Sequence, residues 1–145
     1  MDTSVASQIR SIVETEGARL RAIAATDTRA AQRPGTWSRR EVLGHLIDSA
    51  LNNHRRFVLA QLSGSLEIPG YAQADWVRCQ GYAESEWDSL IELWSSLNRH
   101  LAHVVERIPT TALSAPCRIG ENAPVSLSEV VIDYVRHLKH HLAQI

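Results

Sequence analysis

An all-α fold, a four-helix bundle, is what this sequence predicts, and three observations predict it. Apolar residues recur at helical spacing over four separate stretches. Two of those stretches open on a serine followed three residues later by a glutamate, the spacing at which side chain and backbone cap each other at a helix start. No alternating apolar and polar run is long enough to predict a sheet.

The first helix is predicted from Thr3 to about Thr26, where Val5, Ile9, Ile12, Val13, Leu20, Ile23 and Ala24 recur at spacings of three, four and seven with no proline among them. The stretch TDTRAAQRPGTW then leads into Ser38 and Glu41, the first capping pair. A second helix starts there, carries Val42, Leu43, Leu46, Ile47, Ala50, Leu51, Phe57, Val58 and Leu62, and stops at Ser63-Gly64. The segment GSLEIPGYAQADWVRCQGY is rich in turn residues, and its anchors Tyr71 and Trp76 predict a loop that packs across the bundle. A third helix, about Ser85 to Ile108, presents Trp87, Leu90, Ile91, Trp94, Leu97, Leu101, Val104 and Val105 and ends at Pro109. After it, TTALSAPCRIGENAPV has the prolines and the Gly120 of a short hairpin. Ser126 and Glu129 cap the last helix, which runs through Val130, Val131, Tyr134, Val135 and Leu138. Helices of such length pack as an antiparallel-type bundle, and the long second connection leaves room for a crossover.

Length and charge bound the function. A chain of 145 residues is expected to form one domain over residues 1–145, and its net charge of -1 offers no basic field for nucleic acid. No apolar stretch approaches the ~20 residues that cross a bilayer. With no apolar leader, Cys79 and Cys117 are expected to be free thiols in cytoplasm, neither of them ligand nor nucleophile. Apolar and aromatic residues in surplus on the third helix suggest a homodimer.

The histidines carry the chemistry. His137, His140 and His141 crowd the final segment HLKHHLAQI. Each helical residue advances about 100 degrees, so His137 and His141 share a face while His140 points away from it. Two imidazoles four apart can converge on one metal ion, as in HExxH helices, although the glutamate that serves there as base is missing. A third ligand is required, and His45, His54, His100 and His103 are the candidates. His45 heads a polar line with Asp48, Ser49 and Asn52, and periodicity leaves open whether that line faces water or a site.

The strings TWSRREVLGHLIDSALNNHRRF, IPGYAQADWV and SLSEVVIDYVRHLKHHLAQI resemble, in order and spacing, the DinB-like superfamily of metal-dependent bacterial proteins. The likeness runs from about Gly35 onward. It implies a four-helix bundle in which His45, His137 and His141 hold a divalent metal, zinc or nickel. It also implies activity on a small molecule. The relatives include thiol-dependent transferases and isomerases that use bacillithiol, mycothiol or glutathione, and a metal-dependent S-transferase or a hydrolase is the leading expectation. The rival is a non-enzymatic module, with the metal a staple and the role dimerisation or small-ligand binding. Around the ligands, Asp48, Asn52 or Asp133 are expected to accept, since a ligating imidazole donates its other N–H, and Tyr134 either offers its phenol to a substrate or packs at the helix boundary. Asp48 could instead pair with Arg136 or Arg56, and Trp37 and Trp76 are expected to cover the bundle end.

Overall fold

A computed structural model of the chain describes residues 3–145; Met1 and Asp2, part of the expected domain, lie outside them. Four long helices form the bundle: α1 (Thr3–Arg21), α2 (Arg39–Ser63), α4 (Trp87–Glu106) and α5 (Leu127–Leu142), with a short α3 (Gln73–Gln80) between the second and third. Both capping boxes form, Ser38 with Glu41 and Ser126 with Glu129. Gly64 ends α2 in the left-handed conformation, at φ 70°, a region that glycine enters without steric cost. The first helix stops earlier than its pattern predicts, at Arg21, and a 3-10 turn at Ala25–Thr28 takes over.

Two departures from the predicted architecture bear on the site. The first is a small three-stranded sheet of order β1-β2-β3, built from Leu66–Ile68, Pro116–Ile119 and Val125–Ser126. The predicted hairpin is present as the antiparallel β2–β3 pair, and β1 joins it in parallel through Leu66 opposite Cys117. Strands of three, four and two residues are too short to print an alternation, and a parallel partner far along the chain leaves no local signal. The second is connectivity. Around the bundle α1 neighbours α4 and α5, and α2 neighbours the same two, so α1 and α2 stand on one diagonal and α4 and α5 on the other. The crossovers therefore lie in the first and third connections, whereas the long second connection joins neighbours and folds into β1 and α3 where a loop is predicted.

The predicted apolar faces form one core. Leu43, Leu46, Ile47 and Phe57 of α2 meet Ile91, Trp94 and Leu101 of α4, all nearly inaccessible to water. Trp87 anchors α4 to α1 by donating its indole N–H to the Leu20 carbonyl at 3.0 Å. On α4 Leu93 is the exposed large hydrophobic, and the other apolar residues of its predicted face lie in the core or pack against it. Arg40 is buried too. Its guanidinium donates to Thr28 Oγ1 at 2.8 Å and to the Ser85 and Ala25 carbonyls, pinning both connections to the start of α2. From Val42 to Ala50 every residue of α2 is buried, so the polar line headed by His45 faces the interior and not water.

Candidate metal centre

Helix geometry delivers three imidazoles to one place. His45 projects from the first third of α2, fully buried, and His137 and His141 project from the last turns of α5, half-buried. Their ring centroids are 5.1 Å (His45–His137), 4.6 Å (His45–His141) and 4.4 Å (His137–His141) apart. One nitrogen from each lies within 4.8 Å of the others. The Nε2 atoms of His45 and His137 are 3.2 Å apart. A tetrahedral ion with bonds of ~2.0–2.1 Å holds its nitrogen donors about 3.3 Å from one another, so this pair already stands at ligating distance.

The remaining ring nitrogens say which atoms are free to ligate. His141 Nδ1 meets Gln144 Oε1 at 2.8 Å, which spends its proton there and turns Nε2 inward. Ser49 Oγ stands 3.5 Å from His137 Nδ1. His45 Nδ1 is buried without a partner among the described residues, so the ring's polar contact is made through Nε2. His140 points elsewhere, exposed, and its Nε2 lies 3.4 Å from Gln144 Nε2. It touches the carboxamide that orients its neighbour.

Burial keeps His45 and His137 neutral. Desolvation first, then the nearness of the other imidazoles, lowers His45 from 6.5 to about 4, and the same causes lower His137 to about 4. Neutral imidazole is the ligating form. The sign of the linkage follows: between pH 6.5 and about 4 the unfolded chain binds protons that the folded chain refuses. Metal-free protein should therefore lose stability as pH falls through that window and show no contribution from these rings above it. Urea unfolding of metal-free protein between pH 7.5 and 4.5 checks this, compared with His137→Asn. A pH slope identical in the two proteins would remove that ring from the account.

The residues expected around the ligands have other partners. Asp48 is buried and accepts from the Tyr82 hydroxyl at 2.7 Å and Gln80 Nε2 at 2.9 Å, while its Oδ2 has no partner among the described residues. No ion pair joins it to Arg136 or Arg56 among those residues. Asn52 donates to the Asp48 backbone carbonyl, and Tyr134 is buried with its hydroxyl on Asn98 Oδ1 at 2.5 Å. None of the three hydrogen-bonds to a ring of the cluster. The groups that do are Ser49, which reaches His137 from α2, and Gln144, three residues after His141; only the second contact is local enough for sequence to have tested. Trp37, expected at the bundle end, lies with its ring centroid 5.2 Å from that of His45 and shields it. His54 packs on His100 at 5.2 Å, away from the cluster.

A cavity of about 720 Å³ opens beside the cluster, between α2, α5 and the sheet. Ser49 and His137 line it, whereas His45 and His141 do not. Asn53, Arg56, Tyr71, Cys117 and Ile119 contribute to its walls. No helix of the described residues is long and apolar enough to cross a membrane.

Comparisons with known proteins converge on one family and one fold. A family model described as the DinB superfamily matches residues 14–145, extending the likeness back into α1. "Putative metal-dependent hydrolase BH0277" of Halalkalibacterium halodurans is 24% identical over 113 residues, 78% of this chain and 66% of that protein. "Putative metal-dependent hydrolase OB0413" of Oceanobacillus iheyensis is 26% identical over 113 residues, 78% of this chain and 65% of that protein. The chain thus spans slightly less than two thirds of the length of these relatives. Among solved structures, YfiT from Bacillus subtilis, described as a probable metal-dependent hydrolase with an unusual four-helix bundle topology, matches with a TM-score of 0.86 at 19% identity, over 99% of this chain and 83% of its own. A mycothiol-dependent maleylpyruvate isomerase matches with a TM-score of 0.78 at 14% identity, over 97% of this chain and 58% of its own. At these identities the structural matches show a shared fold.

Proposed function

Because the chain belongs to the DinB superfamily, we propose that it binds a divalent metal through His45, His137 and His141 and acts with it on a small molecule, as a thiol-dependent S-transferase or a hydrolase. The observation that carries this reading is the convergence of three imidazoles from two helices, with one nitrogen of each within 4.8 Å of the others. Zinc and nickel both suit such a donor set. When bound, an ion of this kind lowers the pKa of water or of a thiol enough to give a nucleophile at neutral pH without a protein base.

The chain's own residues prepare that chemistry. Burial holds His45 and His137 neutral, Gln144 turns His141, and Trp37 keeps water from the back of His45. Three protein donors leave a four-coordinate ion one position for a visitor, as catalytic sites do, whereas a structural staple fills all four from the protein. The cavity that His137 lines supplies room for that visitor. Both features favour an enzyme over a stapled interaction module. The thiol arm draws support from the shared fold of the mycothiol-dependent isomerase, and free Cys79 and Cys117 accord with a cytoplasmic setting.

Elemental analysis of the purified protein tests the metal, and turnover with bacillithiol, mycothiol or glutathione against electrophilic acceptors, beside ester and amide hydrolysis, tests the chemistry. One zinc or nickel per chain is the expected result. Protein that stays metal-free after incubation with either ion would end the proposal. A bound ion whose fourth position proves to be a protein side chain would hand the site to the staple.

A further inference from the structure

The cavity beside the histidine cluster has one charge that is drawn out of water without an ion-pair partner among the described residues. Its charged lining consists of Arg56, Glu129, Asp133 and Arg136. Asp133 and Arg136 pair with each other at the exposed rim. Glu129, also exposed, is engaged in the cap of α5, accepting from the Ser126 backbone N–H at 2.7 Å and hydroxyl at 2.8 Å. Arg56 differs from all three. It is half-buried, and its ion-pair partners among the described residues are none. Its hydrogen bond is a long one, 3.5 Å from Nη1 to Asn53 Oδ1.

A guanidinium drawn out of water without a counter-charge costs stability, and burial accordingly pulls its pKa down. Tyr71 lines the same cavity, half-buried, with its ring against Trp76 and its hydroxyl without a hydrogen bond among the described residues. Arg56, Tyr71 and His137 all line this one cavity. Two unspent donors thus line a space that His137 of the candidate metal centre also lines.

We propose that this cavity binds a small monocarboxylate, with the Arg56 guanidinium as counter-charge, the Tyr71 hydroxyl as second donor, and the rest of the molecule laid toward Ser49 and His137. The planar fork of arginine matches the two oxygens of a carboxylate. One half-buried cation with no ion-pair partner among the described residues suits a monoanion, and the carboxylates of Glu129 and Asp133 at the rim oppose a dianion such as phosphate. Cys117, Ile119 and Val130 give the wall apolar surface for a carbon skeleton. The inference deepens the metal-dependent reading, on which it rests for its meaning, by naming the substrate's charged group.

Titration of phenylacetate and phenylacetamide, followed by NMR, tests it in metal-loaded and metal-free protein, with Arg56→Gln, Arg56→Lys and Tyr71→Phe beside the parent. The acid should bind more tightly than the amide, in both metal states. Arg56→Gln should weaken the acid by roughly 10–100-fold, the worth of a charged hydrogen bond, without touching the amide or the metal content. Arg56→Lys should recover part of the loss, and Tyr71→Phe should cost several-fold. Equal binding of acid and amide would overturn the proposal, as would an unchanged affinity in Arg56→Gln. Acid binding that needs the metal and ignores Arg56 would also overturn it while leaving the metal reading intact. Carboxylate binding through Arg56 in a protein that takes up no metal would do the reverse. Tighter binding of inorganic phosphate than of the acid would remove the monoanion assignment.

Discussion

His45→Ala should fold and lose its metal. The ring is fully buried, so its removal leaves space in the interior, yet it also removes a buried Nδ1 that has no partner, and the two effects oppose each other. The fold should therefore survive with a modest loss of stability in the metal-free state. Metal binding has no such compensation. Removing one of three donors leaves the others on a single helix, with an affinity reduced beyond the about 10–100-fold typical of losing a mere orienting partner. His137→Ala and His141→Ala should act alike. His140→Ala should keep full stoichiometry, since that ring is exposed and its contact is with Gln144. Gln144→Ala should fall between, weakening metal binding by about tenfold because His141 would lose the acceptor that fixes its tautomer. Elemental analysis and competition with a chromogenic chelator, on variants shown to be folded by circular dichroism, give these values. A folded His45→Ala that keeps one ion per chain would mean that α2 supplies no ligand. Equal losses for His140 and His141 would mean that the two faces of α5 have been confused.

The face of α5 was legible because a helix repeats on itself. His137 and His141 are four apart, and that spacing alone states which rings are neighbours. The start of α2 was legible for a similar reason, the reciprocal bonds of Ser38 and Glu41 being local. His45 was not legible from periodicity. A polar line on a helix reads as a solvent face, and what buries this one is the return of α5 and the segment around α3, both distant in sequence. A resemblance singled out His45, and the fold put it beside its partners. The surroundings of the rings failed in a more instructive way. Asp48 stands three residues after His45, yet its carboxylate is taken by Tyr82 and Gln80 from the connection expected to be a loop packed across the bundle. Arg56 and Tyr71 were equally hidden, since a cation is uncompensated only relative to what packs around it.

Gly44→Ala should be among the most damaging single substitutions of a small residue in this chain. Helix propensity alone argues the other way: alanine in the middle of α2 should gain about 0.8–1 kcal/mol over glycine. Packing decides against it. A Cβ on Gly44 would lie 2.2 Å from Cγ and from Cδ2 of Tyr82 and 2.7 Å from its Cε2, distances that no ring tolerates. Tyr82 cannot simply retreat. It is buried, and its hydroxyl donates to Asp48 Oδ1 at 2.7 Å, with Gln80 Oε1 also within reach at 2.9 Å. Moving the ring strips a donor from a buried carboxylate whose other oxygen already lacks a partner. Overpacking of about 1–3 kcal/mol and a lost charged hydrogen bond of about 1.5–3 kcal/mol together exceed the propensity gain, leaving a net destabilisation of about 2–4 kcal/mol. Thermal or urea unfolding reads it directly, and a neutral or stabilised Gly44→Ala would show that the ring is free to move. Tyr82→Phe separates the two costs, because it keeps the ring and loses only the donor. The sharper check is a double-mutant cycle with Tyr82→Ala. With the ring gone, the same Gly44→Ala change should reverse sign and stabilise by up to about 1 kcal/mol, since only helix propensity is left to act.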